Sequence, residues 1–179
     1  NNSDIEEIKK GNNMEIRRST INDIDEILKI FEGARKFMKA SGNPKQWKDS
    51  YPERTLIESD IENNISYVCV DEGRIVGTFV YFKGIEPDYA EIHDGQWLND
   101  EPYGVVHRIA SATGKRGVAT YCLNWSFEQC RNLKIDTHRD NIPMHNLLTK
   151  NGFHRCGIIY LENGEERIAY QKSDKQSVA

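Results

Sequence analysis

The sequence predicts an α+β (mixed α/β) domain built around one central, mostly antiparallel sheet. Three observations predict it. Apolar residues alternate over short runs separated by acidic-Gly turns, as at Asp71-Glu72-Gly73 and Glu162-Asn163-Gly164. Elsewhere the apolar spacing changes to steps of three and four, the helical period. The two kinds of segment follow one another as β-α-α-β-β-β-α-β-α-β-β, which is one interleaved domain rather than separate all-α and all-β halves. A chain of 179 residues fits such a domain and buries enough surface to need no disulfide or metal staple.

Residues 1–13 are polar and read as a leader or extension, residues 14–172 as the domain, and residues 173–179 as a loose tail. Residues 14–18 form the first strand. Thr20 or Asn22 caps the helix that follows, whose stripe is Ile24, Ile27, Leu28, Phe31, Ala34, Phe37 and Met38 and which stops near Ser41-Gly42-Asn43-Pro44. A shorter helix spans residues 53–63 with Leu56, Ile57 and Ile61 inward, and the aromatics of the 47–52 loop between the two helices are placed to cover a pocket. Residues 67–70 and 74–82 make a hairpin. The polar stretch 83–102 is long for a connection inside a compact domain, and connections of that length often carry function. Residues 104–111 are a strand, 117–131 a helix and 133–137 a strand. Residues 142–150 are a helix with Pro143 in its first turn, and 154–160 and 165–172 are a closing hairpin.

Composition narrows the function. With a net charge of −4, the chain lacks the stripe of clustered Lys and Arg that phosphate backbones require, so no nucleic-acid partner is expected. No run approaches the roughly 18 apolar residues of a membrane span and no signal-peptide pattern opens the chain, so no membrane partner and a cytoplasmic location are expected. Cys69, Cys122, Cys130 and Cys156 form no CxxC pair and no zinc spacing, and read as buried free thiols. His138 and His145 have no third ligand at a suitable spacing, so no metal is expected.

The most informative segment is residues 106–120, VHRIASATGKRGVAT. A strand runs into a small-residue turn and a helix starts at once, so the unpaired N–H groups and the dipole of that helix make an anion site. Gly114 and Gly117 let a phosphate approach the backbone, Ala119 does not block it, and Lys115 and Arg116 add charge. A Walker loop and a dinucleotide fingerprint are both absent. An ordinary β-to-α turn remains the alternative.

Gly114-Lys115-Arg116-Gly117-Val118-Ala119 resembles the Arg/Gln-x-x-Gly-x-Gly/Ala turn of the GNAT acetyltransferases, with Gly114 in place of Arg or Gln. Residues 135–153, from Ile135-Asp136-Thr137 through Asn141 to Gly152-Phe153, are similar in order and spacing to that family's second segment. Leu148 stands where the family carries a Tyr that acts as acid toward the leaving thiolate. The resemblance implies a sheet splayed between its fourth and fifth strands, with acetyl-CoA as co-substrate. The diphosphate would lie on the amides of Gly114, Lys115, Arg116, Gly117, Val118, Ala119 and Thr120. Pantetheine would lie along Ile109 and Ala110, with Asn141 reaching it from the other side. It further implies transfer of the acetyl group to a primary amine of a small molecule or peptide, and a possible homodimer, since members of the family are often dimeric.

Strand alternation puts Tyr103, Val105, His107 and Ile109 on one face. His107 is a catalytic base candidate because an imidazole titrates around neutral pH, with Tyr103, or Glu101 through water, nearer the substrate end. A core histidine with a satisfied hydrogen bond is the equal alternative. Arg108 and Asp136, on strands expected to be neighbours, read as a buried ion pair, and His145 as solvent-facing. The acidic residues of the 83–102 connection, among them Glu86 and Asp88, would suit a cationic amine. Two other readings stay open: a CoA-binding sensor or inactive homologue, and a non-enzymatic interaction module.

Overall fold

A computed structural model describes residues 13–175. Its seven strands are β1 (Met14–Arg18), β2 (Ser66–Asp71), β3 (Arg74–Lys83), β4 (Gly104–Ser111), β5 (Asn132–Thr137), β6 (His154–Tyr160) and β7 (Glu166–Ser173). Four α-helices accompany them: α1 (Ile24–Ala40), α2 (Arg54–Glu62), α3 (Val118–Cys130) and α4 (Ile142–Lys150). The predicted leader lies outside the described residues apart from Asn13, and β7 runs one residue past its predicted end, to Ser173.

The strands form one sheet in the order β1-β2-β3-β4-β5-β7-β6. Every neighbouring pair is antiparallel except β4 and β5. That parallel contact is short: Gly104 pairs with Leu133 and Val105 with Lys134, and no β4 residue beyond Val105 is in register with β5. The sheet therefore splays from Val106 onward, where the resemblance expects a gap.

Each face of the sheet is covered by what the sequence makes amphipathic. Phe79, Val106, Leu133 and Ile168 on one face pack against Val118, Leu123 and Phe127 of α3 and Leu148 of α4. On the other face Val68 and Ala110 meet Ile24, Ile27 and Phe31 of α1 and Ile57 of α2, beside Trp47. Farther along that second face, Tyr89 of the 83–102 connection packs on Val105, Ile159 and Ala169. Thr20 starts the α1 region: its N–H donates to Asp23 at 2.7 Å across the 3-10 turn Ile21–Asp23, which the sequence did not predict as a separate element.

The long connection holds its shape through buried polar contacts. Gln171, fully buried on β7, accepts from the Leu98 N–H at 2.8 Å and donates to Asn132 at 2.8 Å, while Asn132 donates to Asn99 at 3.0 Å. Such a satisfied network fixes one arrangement, because any slip leaves buried amides unpaired. Nearby, Gly95 crosses β6 so closely that a Cβ there would sit 1.9 Å from the Cys156 carbonyl oxygen, and His93 bridges to Ile158.

Candidate active site

The turn after β4 adopts the predicted geometry. Gly114 and Gly117 both have φ +79°, in the left-handed region that favours glycine. Gly117 is the N-cap of α3 and provides no side-chain cap. Among the described residues, the N–H groups of Gly117, Val118, Ala119 and Thr120 have no hydrogen-bond partner, and Gly117 leaves open space where a Cβ would sit. Bare amides at the start of a 13-residue helix fit a diphosphate. Lys115 departs from expectation: its ammonium pairs with the buried Asp71 carboxylate, so Arg116 is the turn's unpaired cation among the described residues.

The strand face also differs from prediction, because β4 carries a bulge. Val80 is in register with His107 and Thr78 with Ala110, so Arg108 and Ile109 together oppose Phe79. Arg108 takes φ +49°. The bulge breaks the two-residue period: His107 stays on the Val105 face, beside the rings of Phe82 and Tyr89, while Ile109 turns to the α3 face. It also frees Arg108 from the predicted partner. The Arg108 guanidinium reaches Asp60 of α2 through two hydrogen bonds, at 2.9 and 2.8 Å, and also donates to the Tyr51 hydroxyl at 3.3 Å. Asp136 instead accepts from the Tyr89 hydroxyl at 2.6 Å.

Between the splayed strands lies a cavity of about 770 Å³. Its floor is His107, Arg108 and Ile109 of β4 with Ile135, Asp136 and Thr137 of β5. The walls come from the α1–α2 loop (Gln46, Trp47, Lys48, Tyr51), the connection (Glu86, Asp88), α4 (Asn141, Met144) and the β6–β7 turn. The expected aromatic cover is Trp47 and Tyr51.

Inside it, His107 Nε2 lies 2.8 Å from Glu86 Oε2. A carboxylate only accepts, so Nε2 carries the proton and the lone pair of a neutral ring sits on Nδ1, which makes no hydrogen bond among the described residues. The hydrogen bond from His107 holds the Glu86 carboxyl below the usual carboxylate range against its partial burial. Burial, with the Glu86, Asp136 and Glu162 charges nearby, pushes Asp88 up. Three cations also line the cavity, and all are already paired with carboxylates. Arg108 has Asp60, while Lys48 and Arg167 both reach Glu165, at 3.4 and 3.2 Å. The side containing Glu86, Asp88, Asp136 and Glu162 is thereby left with excess negative charge.

Other predicted residues have different work. Tyr103 is not part of the cavity lining: its hydroxyl accepts the Glu86 N–H at 3.0 Å and its ring sits 3.9 Å from the Lys134 ammonium, so it braces the loop that carries Glu86. Glu101 is exposed outside the cavity. Asn141 lines the cavity, yet its oxygen caps α4 by accepting from Met144 N at 3.3 Å and its amide donates to Gln46 at 3.0 Å. His145, expected in solvent, is half-buried with Nδ1 2.6 Å from the Tyr170 hydroxyl. Leu148 is fully buried in the core and offers no hydroxyl. Ala110 is buried against α1. Among the described residues no cluster of three or more His, Cys, Asp or Glu is arranged to hold a metal ion, and no helix is long and apolar enough to cross a membrane.

Residues 27–153 match the acetyltransferase (GNAT) family. A solved GNAT-family acetyltransferase from Streptococcus agalactiae is 34% identical, with a TM-score of 0.83, over 91% of this chain and 96% of that one. A Staphylococcus aureus protein described as a candidate acetyltransferase is 27% identical at a TM-score of 0.65, over 89% of this chain and 99% of its own. A Salmonella typhimurium protein solved with its cofactor acetyl-CoA shares the fold at 12% identity and a TM-score of 0.58, over 93% of this chain and 97% of its own. Comparison with curated proteins finds no match.

Proposed function

The chain belongs to the GNAT acetyltransferase family and is an N-acetyltransferase by that membership, and we propose that it moves the acetyl group of acetyl-CoA to a cationic primary amine of a small molecule or peptide. The single observation carrying this reading is the conjunction of the bare amides at Gly117 to Thr120 with the open gap beside β4. A diphosphate fits the first and a pantetheine arm the second. When bound, acetyl-CoA supplies an activated thioester, and the protein's residues do the rest.

The turn amides and Arg116 hold the diphosphate, and the unpaired edge of β4 at Ile109 and Ala110 offers backbone groups to pantetheine. An amine arrives protonated at neutral pH. The carboxylates of Glu86, Asp88, Asp136 and Glu162 favour its entry. His107 Nδ1 takes its proton, and Glu86 stabilises the imidazolium that forms while fixing the ring. All four cysteines are free and buried, which suits a reducing cytoplasm.

A second reading has one specific support. Leu148 is fully buried where the family's acid would stand, which suits a CoA-binding sensor. Two measurements separate the readings. Calorimetry with acetyl-CoA is expected to show binding, and none at millimolar ligand would rule out both. Thiol release is then followed over a panel of a diamine, an arylalkylamine, an amino acid and a peptide. Turnover supports the enzyme, and binding without turnover on the panel supports the sensor.

A further inference from the structure

The thiol that leaves in acetyl transfer is an alkyl thiol, which like a cysteine side chain titrates above neutral pH, so at neutral pH its sulfur must end up protonated. Among the described residues the cavity has two hydroxyl side chains, Tyr51 and Thr137. Thr137 is buried and donates its proton to Gln46 at 3.4 Å. Tyr51 differs in kind. Its oxygen accepts from Arg108 Nη1 at 3.3 Å and, among the described residues, its proton is donated to nothing. Its ring rests 6.3 Å from Trp47 and it is 38% exposed, so it reaches both the cavity and solvent. Arg108, which holds that oxygen, is the bulge residue directly before Ile109, at the edge of the gap.

We propose that Tyr51 is the catalytic acid of this enzyme, delivering a proton to the departing sulfur. The inference rests on the acetyltransferase reading. His107 passes the proton it first took from the arriving ammonium to solvent; then, as the carbon–nitrogen bond forms and the carbon–sulfur bond breaks, sulfur takes the Tyr51 hydroxyl proton and the second proton, shed by the nitrogen, goes to His107. The phenolate left on Tyr51 keeps its guanidinium contact, which stabilises negative charge on the oxygen, and it regains a proton from solvent. Tyr51 thus stands on the α1–α2 loop, on a different wall of the cavity from α4 and Leu148.

The test is Tyr51→Phe, assayed with acetyl-CoA and the fastest acceptor of the amine panel. Expected is a fall in kcat of about 10²-fold, the usual size for losing a general acid, and loss of the alkaline limb of the pH–rate profile with the acid limb kept. The coenzyme A Kd from calorimetry should stay within about 2-fold, and so should the response to thermal denaturation. An unchanged kcat and pH profile, or a weakened Kd with kcat intact, would overturn the assignment while leaving the acetyltransferase reading in place. A wild-type protein that binds coenzyme A but turns over no acceptor would overturn both. If Tyr51→Phe proves unstable, Tyr51→His at the same position is expected to move the alkaline limb toward lower pH, and an unmoved limb counts against the proposal.

Discussion

The glycine turn that follows β4 and the cavity beside residues 106–109 lie along the same strand, and they are built differently. The turn is one continuous segment, residues 114–120, whose chemistry is backbone amides exposed by glycine geometry. The cavity is assembled from segments far apart in sequence: Asp60 to Arg108, Glu86 to His107, and Lys48 to Glu165 are its ties. A site made of backbone tolerates side-chain replacement unless φ or space forbids it. One made of side chains fails when a single partner is lost.

That contrast is open to direct attack, and the largest effect is expected in the cavity's scaffold. Asp60→Ala leaves the Arg108 guanidinium buried without its carboxylate, which costs about 3–5 kcal/mol in urea denaturation. A loss under about 1 kcal/mol would show that the bulge is held some other way. Next, His107→Ala is expected to lower kcat by about 10²-fold, roughly 2.7 kcal/mol, with the KM for acetyl-CoA unchanged. An acid limb that persists in this variant would move the base elsewhere.

Gly117→Ala probes the turn. An L-residue at φ +79° costs about 1 kcal/mol and presses a methyl toward the bound phosphates, so the KM for acetyl-CoA should rise several-fold while kcat holds. A fall in kcat alone would erase the division of labour between the two regions. The smallest expected effect is electrostatic. Glu86 titrates below its ordinary value of 4.5 in the folded protein, so its contribution to stability is present above that value and fades as pH falls through the lowered one. Glu86→Gln should therefore be less stable than wild type near pH 7, and the difference should shrink in acid. Parallel stability curves down to acid pH would mean that His107 does not hold the carboxylate.

The strands and helices were legible because each carries its own pattern. Residues 104–111, 142–150 and 154–160 fall on β4, α4 and β6 to the residue, and the turn was readable because two glycines and a helix start are adjacent in sequence. The cavity resisted in a specific way. Alternation along β4 held from Tyr103 to His107 and then failed at Arg108, since nothing local marks an arginine that will adopt φ +49°. Once the bulge resets the face, Ile109 and Arg108 exchange the neighbours the sequence assigned them, and the expected pairing with Asp136 gives way to Asp60. Glu86 showed only as one acid in an acidic connection, and Gln46, which occupies Asn141, carried no signal at all.

By itself, then, the sequence determined the element order, the sheet's character and the glycine turn with its bare helix start, because periodicity, glycine placement and helix starts are short-range physics. Tertiary structure alone decided which acid meets His107, which residue holds Arg108, and that Tyr51 keeps an undonated proton. Those choices depend on hydrogen bonds and burial between segments as much as 57 residues apart, and a buried charge takes whichever partner the packing brings within reach.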